Sequence, residues 1–149
     1  MVIKSKGKKS VKHKIEEIKG SYKFTYIKFN FSFLTSNNSF NINNSKINSE
    51  IKADLIDRII ELSNDTIISL GILGKERGYE TIDDSMIAIK AKCSTKFDDN
   101  RERVQACSDK YHAFRLYPNN NPRAVRIIGK FAKGVFYVFF IDMEHKYIK

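Results

Sequence analysis

Apolar and polar residues alternate from Tyr22 to Leu34 (YKFTYIKFNFSFL), the pattern of a β-strand. Phe24 and Tyr26 lie on one parity, and Ile27, Phe29, Phe31 and Phe33 on the other, which predicts a β-bulge near Tyr26–Ile27. Thr35 to Ser49 is rich in Asn and Ser and reads as a loop or hairpin tip. Ser49 stands where a helix N-cap belongs, and Ile51, Leu55, Ile59 and Leu62 follow on one helical face. Asp54, Asp57, Arg58 and Glu61 fit its solvent side. Ser63-Asn64-Asp65 breaks that helix and caps a shorter one through Ile67, Ile68 and Leu70, which Gly71 and Gly74 end.

Residues 75–85 are polar and predict a connector to a strand at Met86–Cys93, with Ile87, Ile89, Ala91 and Cys93 on one side. The charged stretch 94–110 predicts a loop carrying a short helix. Three strands follow, at His112–Tyr117, Val125–Phe131 and Val135–Asp142, with a tight turn at Ala132-Lys133-Gly134 joining the last two. VFYVFFID is apolar on both parities, as befits a central strand covered on both faces. The fold class is therefore α+β: an antiparallel sheet, made of the N-terminal strand plus a C-terminal meander, packed against a helical hairpin. A basic arm at 1–19 precedes a single domain at 20–149.

Charge changes this picture. The 149 residues carry 27 Lys plus Arg against 17 Asp plus Glu, a net +10. Residues 1–19 contribute +5 and residues 110–149 contribute +6, while the stretch between them sums to −1. Two positive ends on a neutral middle form the field that attracts polyanions, nucleic acid above all, with RNA favoured over DNA. The lysine-rich start lacks an apolar segment of a secretory signal, and no apolar run reaches membrane-spanning length, so a cytoplasmic protein with no membrane partner is expected.

Cys93, Cys107 and His112 do not make a zinc site by spacing, because thirteen residues separate the cysteines and no fourth ligand is near. No phosphate-cradling glycine motif occurs, and neither a metal nor another cofactor is expected. The sharper signal lies near the C-terminus. Arg115, Arg123, Arg126, Lys130 and Lys133 populate the meander, and Lys8, Lys9 and Lys12 the arm, as candidate phosphate contacts. Arg126, Ile128 and Lys130 share a parity opposite Val125, Ile127 and Phe131, so Arg126 and Lys130 are expected to project from the face that the helices leave open. Glu144, His145, Lys146 and Tyr147 follow the last strand directly. RNA transesterification needs such groups: cations on the phosphate, a base for the 2′-hydroxyl and an acid for the leaving oxygen.

The stretch FRLYPNNNPRAVRIIGKFAKGVFYVFFIDMEHKY, Phe114 to Tyr147, resembles the closing hairpin and tail of the RelE/YoeB/ParE-like toxin superfamily, and the element order resembles it too. The resemblance implies a metal-independent endoribonuclease. In it Arg115, Arg126 and Lys130 would hold phosphate, His145 or Tyr147 would act as general acid or base, and Glu144 would be an alternative base. It also implies an acidic protein partner, an antitoxin. The basic arm, the Asn/Ser loop and the 94–110 stretch are additions to that layout. Two other functions fit the same charges: a non-catalytic nucleic-acid-binding protein, and a phage or mobile-element protein that inhibits a nucleic-acid enzyme.

Overall fold

A computed structural model of the protein describes residues 24–74, 78–89, 95–107 and 110–148. The basic arm with Lys8, Lys9 and Lys12 lies outside these residues, as do Tyr22, Ala91 and Cys93. In chain order the described elements are β1 (Lys28–Asn30), α1 (Ser49–Ser63), α2 (Ile67–Leu73), β2 (Tyr79–Asp83), α3 (Arg101–Ala106), β3 (Lys110–Arg115), β4 (Arg126–Ala132) and β5 (Val135–Asp142). The strands form one mixed sheet in the order β1-β5-β4-β3-β2. All neighbours are antiparallel except β1, which pairs parallel to β5 through Lys28–Val135, Phe29–Phe136 and Asn30–Tyr137. The α+β class and the meander are as the sequence predicts.

Local chemistry explains the helices. The Asn48 side chain caps α1 by accepting from the Ile51 amide at 2.9 Å, one residue before the expected Ser49. Ile51, Leu55 and Leu62 are buried, but the fourth buried residue is Arg58 rather than Ile59. Its Nε donates to the Arg115 carbonyl at 2.9 Å and its guanidinium meets Glu61 at 3.1 Å, which lets a charge expected in solvent sit 3% exposed. Thr66, not Ser63-Asn64-Asp65, caps α2, and Gly74 at φ 50° closes it.

Both faces of the sheet are covered, so the single helical layer expected from sequence becomes two layers around it. Ile51, Leu55, Leu62, Ile67 and Leu70 pack on one face with Phe114, Ile127, Phe136 and Val138. On the other, Ile87, Phe97 and Cys107 from the 84–107 segment cover Tyr111, Ile128, Phe139 and Phe140. The expected strand Met86–Cys93 is not formed over its described part. Asp84–Met86 is a turn of 3₁₀-helix, and Ile87 makes one bridge to Ile148. The sheet's outer strand is β2 instead, inside the stretch expected to be a connector.

The predicted bulge also lies elsewhere. Around Tyr26–Ile27 the alternation continues unbroken, with Phe24 (75% exposed) and Tyr26 in solvent and Ile27 buried, and regular pairing in β1 stops at Asn30. The register breaks between β4 and β5, where Ile128 faces Phe140 but Gly129 faces Val138, leaving Phe139 as the extra residue. Phe136, Val138 and Ile141 therefore face the helices, while Phe139 and Phe140 both face the other core. A Cβ at Gly129 would lie 1.8 Å from the Tyr137 carbonyl oxygen, so only glycine fits beside the bulge. Lys133 (φ 50°) and Gly134 (φ 80°) then make the two-residue turn of the β4–β5 hairpin.

Candidate nucleic-acid interface

The meander brings part of the predicted cationic set together, but not in solvent. Arg126 is 2% exposed; its Nε lies 3.2 Å from Glu80 Oε1 and its guanidinium donates to Asn120 Oδ1 at 2.7 Å. Tyr147 is 1% exposed and its hydroxyl donates to the same Glu80 oxygen at 2.6 Å. The Tyr147 backbone amide donates to Asp142 Oδ2 at 2.7 Å, folding the tail back over the end of β5. Burial works to raise the Glu80 carboxyl, but the hydrogen bond from Tyr147 and the Arg126 charge outweigh it and hold it below the ordinary carboxylate value. Burial, with the Glu80 carboxylate, holds the Tyr147 phenol above its ordinary value, so it serves as a neutral donor. Burial likewise raises the Asp142 carboxyl, against the pull of the Tyr147 and Lys146 amides. This cluster closes on itself. The expectation that Arg126 projects from an open face is corrected: the face is covered, and Glu80 neutralises the guanidinium inside it. Tyr147, expected as a general acid or base in the tail after the last strand, is likewise enclosed.

The other predicted cations stay nearer to water. Arg115 is half-buried and donates to the Pro118 carbonyl at 3.0 Å. Lys130, also half-buried rather than projecting freely, sets its Nζ 4.6 Å from the centre of the Tyr111 ring. Arg123 is exposed in the loop before β4, and Lys133 is exposed at the hairpin tip. His145 is exposed at φ 59°, with its ring centre 5.1 Å from that of Tyr147. Among the described residues no three His, Cys, Asp or Glu side chains converge as a metal-ligand set, and Cys107 is buried in the second core.

Glu144 defines a feature that sequence patterning does not reveal. Its carboxylate forms ion pairs with Lys46 on one side and with Lys146, at 2.6 Å, on the other. These residues line a cleft of about 410 Å³ between the Asn/Ser loop and the turn after β5. Asn38, Ser39, Phe40, Asn43, Asn44 and Ser45 form one wall, and Asp142, Met143 and Glu144 the other. The loop is built by its own amides. Asn41 Nδ2 donates to the Thr35 carbonyl at 3.0 Å, Asn44 Nδ2 donates to the Ser39 carbonyl at 2.8 Å, and Asn44 Oδ1 accepts from the Lys46 amide. The Asn43 side-chain amide makes no such bond among the described residues and is left at the cleft. Asn43, Lys46, Arg58 and Glu80 are thus the residues that sequence reasoning missed. The Asn/Ser density of 35–49 was the one available signal, and it reads equally well as a plain loop.

Among the described residues no helix is long and apolar enough to cross a membrane. Compared with known proteins, the sequence matches no family model and no curated protein, and the fold matches no solved structure.

Proposed function

We propose that this protein binds nucleic acid, RNA in particular, through cations at its surface and without cleaving it. The observation that carries this reading is how the charges of 110–148 are partitioned. Arg126 is the one cation withdrawn from solvent, while Arg123, Lys133 and Lys146 are exposed and Lys110, Arg115 and Lys130 half-exposed, Lys110 beside Asp83. Of the two carboxylates in that stretch, Asp142 is buried and Glu144 is held by two lysines. A surface so biased recruits phosphates and releases their counterions. Reading duplex DNA in the major groove calls for a basic helix or ribbon. Helix α1 carries Glu50, Asp54, Asp57 and Glu61 against Lys52 and Arg58, so it is not a basic helix of that kind.

Fluorescence anisotropy of the full chain with a labelled RNA across 50–200 mM salt tests this. Affinity falls steeply with salt, and Arg123→Ala with Lys133→Ala lowers the logarithmic slope by about 0.7 per lost phosphate contact for a single strand. Affinity independent of salt overturns the reading.

One observation favours a second reading, metal-independent RNA cleavage of the toxin-like kind. His145 is a non-glycine residue held in left-handed backbone, exposed, and flanked by Glu144 and Lys146, a placement met at functional sites. That reading requires RNA cleavage in EDTA that His145→Gln abolishes; intact RNA after long incubation discards it.

A further inference from the structure

The polar cleft points to a more specific ligand, and the argument rests on the nucleic-acid reading above. We infer that the cleft between 38–46 and 142–146 takes one unpaired nucleotide of a single strand, with its phosphate seated between Lys46 and Lys146 where Glu144 now lies.

Three features support it. The cleft, at about 410 Å³, has a volume suited to a small ligand, and Phe40, which packs on the second core, lines part of its wall. The Asn43 amide, a donor and acceptor pair without a partner among the described residues, matches the hydrogen-bonding edge that a base exposes only when unpaired. Glu144 occupies an anion position already made by two ammonium groups, one from each wall. The side chains of Lys46, Glu144 and Lys146 are 49%, 31% and 65% exposed, so these pairs are weak and a phosphate can replace the carboxylate at little cost. Glu144 then acts as an internal stand-in for phosphate, not as a base.

The test compares a single-stranded 12-mer RNA with a hairpin duplex of equal charge, using the full chain and variants checked for unchanged melting temperature. The single strand binds more tightly than the duplex. Asn43→Ala weakens that binding roughly tenfold, the worth of one hydrogen-bonded base contact, and Lys46→Ala weakens it while lowering the salt slope by about 0.7, one lost phosphate. Glu144→Gln has the opposite effect. It tightens single-strand binding, because the phosphate no longer has to displace a carboxylate from the two ammonium groups. Equal binding of strand and duplex, no effect of Asn43→Ala, or weaker binding by Glu144→Gln overturns the inference while leaving RNA binding in place. Failure to bind either RNA overturns the nucleic-acid reading and this inference with it.

Discussion

His112 gives the fold a defined weakness toward acid. It lies on β3 opposite Gly129, wholly buried, with its ring stacked on Tyr79 (centres 5.7 Å apart, planes at 10°) and its edge toward Phe131. Nδ1 shares a hydrogen bond of 2.6 Å with the Tyr79 hydroxyl, and Nε2 has no partner among the described residues. Burial, followed by the positive charges of Lys130 and Lys110, pushes its pKa from 6.5 down to about 3. The unfolded chain therefore takes up a proton below pH 6.5 that the folded chain refuses until about pH 3, so stability falls as pH drops through that window. Each full unit is worth about 1.4 kcal/mol, and pH 5 lies 1.5 units below the unfolded value, so the loss there is about 2 kcal/mol. For a chain of this length that lowers the melting temperature by about 4–8 °C.

The assay is urea unfolding of wild type and His112→Gln at pH 7, 6 and 5. Glutamine does not titrate and can still bond the Tyr79 hydroxyl, so the difference between the two slopes isolates the imidazole. The cluster carboxylates do not confuse it. Glu80, held below its ordinary value, contributes stability above pH 4.5 that is lost only as pH falls through its lower folded pKa. Asp142, raised by burial, contributes stability below pH 3.8 that is lost as pH rises, an opposite trend shared by both proteins. Equal pH slopes in wild type and variant between pH 7 and 5 refute the reasoning.

Gly129→Ala places a methyl group against the Tyr137 carbonyl and is expected to cost about 3 kcal/mol in chemical denaturation, because the obstacle is backbone. Arg126→Ala leaves the partly exposed Glu80 carboxylate without its cation and costs about 2–3 kcal/mol. Its effect on RNA affinity, measured on the fraction still folded, is small. Tyr147→Phe removes one hydrogen bond to that carboxylate and costs about 1.5–3 kcal/mol in urea unfolding, with RNA affinity by anisotropy unchanged.

What could be read from the chain divides by the range of the interaction responsible. Helices α1 and α2 declare themselves through apolar spacing, and the β4–β5 hairpin through Lys133-Gly134, because each is settled within a few residues. β2 stays hidden because Tyr79-Glu80-Thr81-Ile82-Asp83 holds two apolar residues on opposite faces. Glu80 looks like a solvent residue until Arg126, 46 positions later, is set across the sheet from it. The unbroken apolarity of β5 had two causes at once, burial of both faces and the extra residue at Phe139, and periodicity alone cannot separate them.

The cleft is the clearest case of a site created by topology. β1 runs parallel to β5, so the chain leaving Asn30 and the chain leaving Asp142 emerge at the same end of the sheet. The Thr35 amide ties the first of these segments to the bulge by donating to the Phe139 carbonyl at 2.9 Å. From that anchor the Asn/Ser loop is held against the turn that carries Glu144 and Lys146, nearly a hundred residues further on. An antiparallel β1 would have sent the loop to the opposite end and left the tail without a facing wall. The direction of one three-residue strand therefore decides whether Asn43 and Lys46 meet Glu144 at all, and no local pattern in the sequence records that direction.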